Sequence, residues 1–285
     1  MGKRARIGNP LSRREVLKFG AYTTVGGVLT PGISLAQAIV TDSKGITARD
    51  IQLNAGGTMI PAYDARPEAQ GRYPIVVVIS GFTGNNEHHK DVVRRFGHAG
   101  FYAISPELFF RQGGMQGKDF PEMAKVSAQV TRAQYLGDIT AAVNYAKQQS
   151  WARADRLGAT GFCGGGTLAL HLAAEYPGVG AAVPWYGHLK RPFPDKPGVD
   201  AFALMDQLTM PILGLYGEAD PGIAAADVRG FEAELKKKNP NVEFVLYPGP
   251  GHAFLSDDRP QAYRKEAAED GWKRCVAFFT KHLKA

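Results

Sequence analysis

The hexapeptide Gly161–Gly166, which reads Gly-Phe-Cys-Gly-Gly-Gly, constrains the fold more than any other part of this sequence. The apolar run Leu157–Phe162 predicts a buried strand, and Gly165–Tyr176 predicts a helix directly after it. A cysteine at such a turn lies at the carboxyl end of a sheet and at a helix N-terminus, where the helix dipole favours a thiolate. The flanking glycines permit the strained turn and the close strand-to-helix packing that a nucleophile such as Cys163 requires there.

Predicted strands and helices alternate along the rest of the chain, which indicates an α/β fold with a mostly parallel, twisted sheet and helices on both faces. Asp50–Asn54 and Thr58–Asp64 alternate apolar and polar side chains around Gly56-Gly57, the pattern of a hairpin. The other predicted strands are Ile75–Ser80, Phe101–Pro106, Ala181–Gly187, Pro211–Tyr216 and Val242–Pro248. The other predicted helices are Glu87–Ala99, Ser127–Gln149 (one long helix or a broken pair), Ala224–Lys238 and Ala262–Leu283. Residues 111–120 are predicted to be a glycine-rich loop, and residues 45–285 to be a single domain.

The positive charge of the chain is concentrated at its N-terminus. Residues 1–38 hold six lysines and arginines against one acid, Glu15, and so account for +5 of the net charge of +7. The remaining residues are close to neutral, which argues against a nucleic-acid-binding surface.

Residues 1–38 also have the order of an export signal. Arg13-Arg14 precedes a weakly apolar run, Phe19–Leu35, and then the small-x-small sequence Ala36-Gln37-Ala38. This order resembles a twin-arginine leader. It implies contact with an export machinery, removal of the leader, no stable membrane anchor afterwards, and a periplasmic or secreted enzyme. The apolar run is interrupted by glycines, threonines and Pro31, whereas a membrane span needs ~20 solidly apolar residues.

Composition excludes several other classes of protein. With 44% hydrophobic and 21% charged residues, the chain is neither disordered nor a polytopic membrane protein. Its two cysteines, Cys163 and Cys275, exclude a disulfide scaffold and any site that needs several cysteine ligands. Cys275 lies between apolar neighbours in the last predicted helix and is expected to be buried and inert.

An acid and a base follow two later strands. Asp220 and His252 each lie just past an apolar run that predicts a strand. The order cysteine, aspartate, histidine is the chain order of α/β-hydrolase triads. In such a triad His252 takes the proton of the Cys163 thiol, and Asp220 orients the imidazole. Glu218 is the alternative acid.

From about residue 45 to residue 283, the sequence resembles the dienelactone hydrolase family, α/β-hydrolases with a cysteine nucleophile. Gly161–Gly166 is similar to that family's Gly-x-Cys-x-Gly-Gly elbow, and Asp220 and Gly251–Phe254 are similar to the segments that carry its acid and base. Trp185-Tyr186-Gly187 is similar to a strand end typical of the family. The resemblance implies an ester or lactone as small-molecule substrate, a thioester acyl-enzyme, and neither a metal nor an organic cofactor.

The resemblance also implies an oxyanion hole made of two backbone N–H groups. One belongs to Gly164, directly after the nucleophile, and the other to Phe82, in the loop after Ile75–Ser80. Tyr186, at a strand end beside the predicted cleft, is expected to contact the substrate.

Two positions depart from the family's pattern. Family members commonly carry a glutamate one residue before the second oxyanion donor, and here that residue is Gly81. The archetypal enzyme clamps its substrate carboxylate with an arginine at the position of Ser256. Glu87, Arg111 and Arg259 are the candidate substitutes. Without a bidentate guanidinium clamp, we expect a neutral ester or lactone rather than the anionic dienelactone.

Two functions of other classes stay open on the sequence alone. A hydrolase fold that no longer turns over could serve as a binding protein, and an exported low-pKa cysteine could serve as a thiol sensor. His88-His89 and His98 lack the spacing of a metal site, so no metal ligand is predicted.

Overall fold

The computed structural model describes residues 39–285, which contain an eight-stranded sheet. The strands are β1 (Ile46–Ala55), β2 (Thr58–Pro67), β3 (Tyr73–Ile79), β4 (Tyr102–Pro106), β5 (Ala152–Phe162), β6 (Val179–Trp185), β7 (Ile212–Gly217) and β8 (Val242–Tyr247). The helices are α1 (Glu87–His98), α2 (Phe120–Ser127), α3 (Arg132–Lys147), α4 (Gly164–Glu175), α5 (Ala225–Lys236) and α6 (Lys265–Leu283). Across the sheet the strand order is β1-β2-β4-β3-β5-β6-β7-β8.

The predicted hairpin forms one edge of this sheet. β1 and β2 pair antiparallel, and Gly56 and Gly57 at the turn have φ angles of 62° and 88°, which glycine adopts at little steric cost. β2 also pairs antiparallel with β4, whereas all the remaining neighbours pair in parallel. The mostly parallel α/β architecture is therefore confirmed.

Helices cover both faces of the central strands. Ile75–Ile79 of β3 are completely buried, as expected for a parallel strand between two helical layers. On one face α1 meets α6, where the rings of Phe96 and Trp272 lie 4.7 Å apart. On the other face α3 meets α4, where Arg132 donates to His171 at 2.9 Å. The layers leave the carboxyl ends of the parallel strands at one edge of the sheet, where the loops that follow them meet.

The segment between β4 and β5 differs from its prediction. Within Ser127–Gln149, predicted as one long helix or a broken pair, the structure has a single helix, α3 (Arg132–Lys147). A separate helix, α2, begins at Phe120, the last residue of the predicted loop, and ends at Ser127. A capping box starts α2, because Asp119 accepts the Glu122 N–H and Glu122 accepts the Asp119 N–H. Asp-Phe-Pro-Glu is a recognisable helix start, so the sequence contained this signal.

The predicted leader lies outside the described residues. Within residues 39–285, no helix has both the length and the apolar character that crossing a bilayer requires.

Candidate active site

Cys163 lies at the sharp turn between β5 and α4, where the sequence predicts it. Its backbone has φ 56° and ψ −124°, its N–H donates to the Trp185 carbonyl at 3.1 Å, and its own carbonyl accepts from the Gly166 N–H at 2.9 Å. A Cβ on Gly161 would lie 2.1 Å from the Gly165 carbonyl oxygen. Strand and helix therefore approach this closely only because Gly161 has no side chain.

The structure brings Asp220 and His252 together at the ends of β7 and β8. His252 Nδ1 lies 2.7 Å from Asp220 Oδ2, and the Gly222 N–H holds Asp220 Oδ1 at 2.9 Å. The Asp220 side chain is 2% exposed, whereas that of His252 is 27% exposed. Glu218, the alternative acid, instead pairs with Arg229 on the surface.

Cys163 and His252 shift each other's proton affinity. Burial opposes a charged thiolate, but the hydrogen bond and charge of His252, together with the N–H groups of Gly164 and Phe82, lower the pKa of Cys163 overall. Burial also opposes an imidazolium, but hydrogen bonds to Asp220 and Cys163 raise the pKa of His252 to about 9. The pair therefore favours thiolate and imidazolium more than an isolated cysteine and histidine would.

The two predicted oxyanion donors lie beside the same sulfur. The backbone N–H groups of Phe82, in the loop after β3, and of Gly164, the first residue of α4, both lower the pKa of the Cys163 thiol and so lie next to its sulfur. Two N–H groups that stabilise a thiolate are placed to stabilise an oxyanion that forms next to it. Their role in a reaction stays a prediction.

Backbone strain is concentrated around this group of residues. Among the described residues, the non-glycine positions with positive φ are Cys163 (56°), Tyr186 (39°) and Ala253 (61°). Cys163 carries the sulfur, Ala253 follows His252, and the Tyr186 ring lies 5.2 Å from the His252 ring. Such conformations persist where the surrounding packing imposes them, which is a common property of functional sites.

The Tyr186 ring packs against the His252 ring. It is 1% exposed, and burial raises the pKa of its hydroxyl, so the tyrosine stays neutral. The substrate contact predicted for Tyr186 stays a prediction.

His188 is the neighbour that sequence analysis missed. Its ring stacks on His252, with the ring centroids 6.1 Å apart. It lines a cavity of about 190 Å³ together with Lys190, Arg191, Gly222 and Ile223. Its position just after the Trp185-Tyr186-Gly187 strand end was the available signal.

The structure also locates the candidate substitutes for the missing family residues. Glu87 is 62% exposed and binds Arg94 at 2.6 Å, so it is engaged elsewhere. Arg111 holds Asp138 with contacts of 2.6 Å and 2.7 Å and the Ala55 carbonyl at 2.7 Å. A Cβ on Gly81 would lie 2.6 Å from the Phe162 carbonyl oxygen and 3.0 Å from Cys163 Cβ. This backbone therefore has no room for a glutamate at residue 81.

One group of described residues could supply three metal ligands. The ligand atoms of His88, Asp257 and Asp258 lie within 4.8 Å of one another. However, the Arg95 guanidinium lies 2.6 Å from Asp257 and already neutralises that carboxylate. We assign no metal to this group.

This combination of fold and site defines an α/β-hydrolase. The sheet is mostly parallel, a cysteine lies at the elbow, and an acid and a histidine lie at later strand ends. Comparison with known proteins narrows the class. The model of the dienelactone hydrolase family matches residues 60–283. A Methylorubrum extorquens protein, provisionally named a carboxymethylenebutenolidase, is 38% identical over 278 residues, which cover 95% of this chain and 94% of that protein. An Escherichia coli K12 protein with the same provisional name is 36% identical over 269 residues, which cover 92% and 97%.

Solved structures agree with the sequence comparisons. A provisionally assigned dienelactone hydrolase from Klebsiella pneumoniae is 37% identical, with a TM-score of 0.78, over 83% of this chain and 99% of that chain. A promiscuous phosphotriesterase described as dienelactone hydrolase-like, at 22% identity and a TM-score of 0.70, shares the fold. The chain therefore belongs to the dienelactone hydrolase family, and it is a hydrolase that acts on esters or lactones.

Proposed function

We propose that this protein cleaves a carboxylic ester or lactone through a Cys163–His252–Asp220 triad and a thioester acyl-enzyme. One observation carries the proposal. Cys163, held on a strained turn, and His252 shift each other's pKa, and His252 is itself bonded to Asp220 at 2.7 Å. A nucleophile, its base and the group that orients the base are thus next to one another.

The reaction begins when the Cys163 thiolate attacks the substrate carbonyl carbon. The N–H groups of Phe82 and Gly164 stabilise the oxyanion, and the His252 imidazolium then protonates the leaving alkoxide as its bond to carbon breaks. Asp220 keeps the imidazole in the required tautomer and stabilises its charge. A water molecule, deprotonated by His252, next attacks the thioester carbonyl, which releases the acid and returns the thiol.

Single-turnover hydrolysis of p-nitrophenyl acetate, followed by intact-protein mass spectrometry, tests the mechanism. We expect a burst of p-nitrophenolate and an acyl adduct on Cys163. Cys163→Ala should give neither, while Cys275→Ala, which changes the fully buried second cysteine, should give both. Hydrolysis by Cys163→Ala at the wild-type rate would show that another group is the nucleophile.

We further propose a neutral ester or lactone as substrate. Ser256 replaces the clamping arginine of the archetypal enzyme, and the side chain of Arg111 is held by Asp138 and by a backbone carbonyl. A substrate carboxylate would therefore lack a guanidinium partner at those two places.

A second substrate class, a lactone that carries a carboxylate, is favoured by the cavity beside His188. Lys190 and Arg191 line that cavity, and Lys190 pairs with Asp227 at 2.6 Å, whereas Arg191 is exposed. Comparing kcat/KM for a carboxylate-bearing lactone and its methyl ester separates the two classes. Preference for the free acid that disappears in Arg191→Gln would establish the second class and exclude the first.

The low thiol pKa also supports one function other than hydrolysis, namely sensing of oxidants. Reversible oxidation of Cys163 by peroxide, with no turnover of any ester or lactone, would favour it. Specific binding of an ester that is never hydrolysed would instead indicate a binding protein on a hydrolase fold.

We also propose that residues 1–38 direct export through the twin-arginine route and are then removed. The support is the Arg13-Arg14 pair, the weakly apolar run and Ala36-Gln37-Ala38. Fractionation of bacterial cells should find a shortened protein in the periplasm or medium, and Arg13→Lys with Arg14→Lys should retain the full chain inside. Full-length protein inside wild-type cells would contradict export.

A further inference from the structure

Phe120 is the most exposed large hydrophobic side chain of residues 39–285, at 70%. It is the first residue of α2, whose start is fixed by Pro121 and by the reciprocal hydrogen bonds of Asp119 and Glu122. The phenyl ring is therefore presented to solvent by a rigid, capped helix end. An exposed aromatic on an ordered element requires an explanation, because burial of such a side chain is favourable.

The Phe120 ring contacts the loop that supplies an oxyanion donor. Its centroid lies 5.0 Å from that of the Phe82 ring, with 43° between the ring planes. The backbone N–H of Phe82 is one of the groups that lower the pKa of the Cys163 thiol, so it lies next to the sulfur. Phe82 therefore carries both a ring that packs on Phe120 and the N–H group predicted to bind the substrate's carbonyl oxygen. We call the pair Phe82 and Phe120 the aromatic shelf.

Buried contacts hold the two loops that carry Phe82 and Phe120 against each other. A Cβ on Gly84 would lie 3.3 Å from Met115, which is 2% exposed, so the loop before α2 packs directly on the loop that carries Phe82. Glu107 ties the same region together, because its carboxylate accepts the N–H of Asn85 at 3.0 Å and that of Phe109 at 3.1 Å.

The other side of the site has the opposite polarity. Beyond His252 the cavity is lined by His188, Arg191 and the ion pair of Lys190 with Asp227, beside the apolar Leu189 and Ile223, so charged groups are present on that side. A substrate with one apolar and one polar half would therefore bind in a single orientation, with its apolar half at the shelf.

We propose that the aromatic shelf binds an alkyl or aryl group attached to the scissile carbonyl of the ester or lactone. This inference rests on the proposed function, and it makes Phe120 a specificity-determining residue. The apolar group lies against the exposed face of Phe120 and removes both surfaces from water, so catalytic efficiency rises with apolar size.

Two substrate series test the proposal. The first lengthens the acyl chain of p-nitrophenyl esters from acetate to octanoate, and the second lengthens the alcohol of acetate esters. In wild type kcat/KM should rise along the acyl series, because the shelf binds the group attached to the scissile carbonyl. A rise along the alcohol series alone would overturn the proposal. Phe120→Ala should reduce the ratio of longest to shortest substrate by about tenfold, as expected for losing the burial of one phenyl contact.

Two variants of the same helix control for indirect effects. Phe120→Leu keeps an apolar side chain and should retain most of the ratio, while Lys125→Ala changes a second exposed residue of α2 and should leave the ratio unchanged. Acetate hydrolysis by Lys125→Ala should remain near wild type. An unchanged ratio in Phe120→Ala, in the acyl series, overturns the proposal.

A second readout does not depend on turnover. N-hexyl iodoacetamide should alkylate Cys163 faster than iodoacetamide does, by a factor that Phe120→Ala removes. If no ester is hydrolysed but this preference is present, the hydrolytic mechanism fails and the shelf stands. If esters are hydrolysed without any preference for apolar groups in either assay, the shelf fails and the mechanism stands.

Discussion

Two histidine–aspartate pairs of this protein have almost the same geometry. His252 Nδ1 is 2.7 Å from Asp220, and His88 Nδ1 is 2.8 Å from Asp257. Both aspartate side chains are buried, at 2% and 3% exposed. The distance between imidazole and carboxylate therefore does not distinguish a pair that could act in catalysis from one that could not.

The two pairs differ in what faces the second ring nitrogen. The His252 side chain is 27% exposed and Cys163 contributes to its raised pKa, whereas the side chain of His88 is 1% exposed. His88 Nε2 is buried and has no hydrogen-bond partner among the described residues. The His88 pair cannot exchange protons with a substrate, because neither a nucleophile nor solvent reaches it.

The His88 pair instead joins segments of the fold. Asp257 also accepts from Arg95 at 2.6 Å, so this aspartate of the His252 loop is held by two residues of α1. Asp257 has a lowered pKa, because the hydrogen bonds of His88 and Arg95 outweigh burial. The same pairing can therefore support proton transfer or join segments of the fold, and access to a reacting group decides between the two.

Removing the exposed histidine should have the largest effect on activity. We expect His252→Gln to lower kcat/KM for p-nitrophenyl acetate by about 10³-fold, the scale of general acid–base catalysis. Its thermal unfolding should stay close to that of wild type, because the ring is partly exposed. A loss of stability in place of activity would remove the distinction between the pairs.

Removing the buried aspartate should have the reverse effect. Asp257→Ala leaves Arg95 without one carboxylate and His88 without its acceptor, and we expect the free energy of unfolding to fall by about 3–5 kcal/mol. Urea denaturation measures this loss. The activity per folded molecule should remain within about tenfold of wild type, in contrast to His252→Gln.

The contribution of Asp257 to the free energy of unfolding should depend on pH. A carboxyl with a depressed folded-state pKa stabilises the protein above its unfolded pKa, and that contribution is lost as pH falls through the lower folded value. The stability difference between wild type and Asp257→Ala should therefore shrink under acidic conditions. A constant difference from neutral to acidic pH would contradict the ionised state of Asp257.

The reactivity of the Cys163 thiol tests whether His252, and not His88, acts on the sulfur. The pKa of Cys163 is lowered by His252 against the effect of burial, so iodoacetamide should alkylate wild type at a lower pH than it alkylates an ordinary thiol. In His252→Gln burial should dominate, and the midpoint of the pH profile should move upward. His88→Gln is the matched control, and any similar upward shift in it would show that both histidines act on the sulfur.

The smallest effect is expected one residue beyond Asp257. Asp258 is exposed and accepts a single hydrogen bond, from the Asn86 side chain at 2.9 Å. Asp258→Ala should change the free energy of unfolding by at most about 1 kcal/mol, because solvent replaces that contact. Urea denaturation beside Asp257→Ala checks this, and comparable losses from the two neighbours would mean that burial is not the cause.

The parts of the fold that depend on short stretches of sequence were predictable. Apolar runs marked the strands of the parallel sheet, Gly56-Gly57 marked the hairpin, and Gly161–Gly166 marked the elbow. Boundaries were less accurate where local signals were overlooked. The Asp119 capping box starts α2 inside a predicted loop, and β5 begins at Ala152 rather than Leu157.

The sequence by itself determined the positions of Cys163, Asp220 and His252, because the elbow and the strand ends follow from hydrophobic periodicity and glycine placement over a few neighbouring residues. Only the tertiary structure decided which groups meet. His88 and Asp257 are 169 residues apart, and no local pattern encodes their contact. The same holds for Phe82 beside Phe120 and His188 beside His252. Such contacts depend on how packed layers orient separate loops, and burial then sets which histidine can exchange a proton.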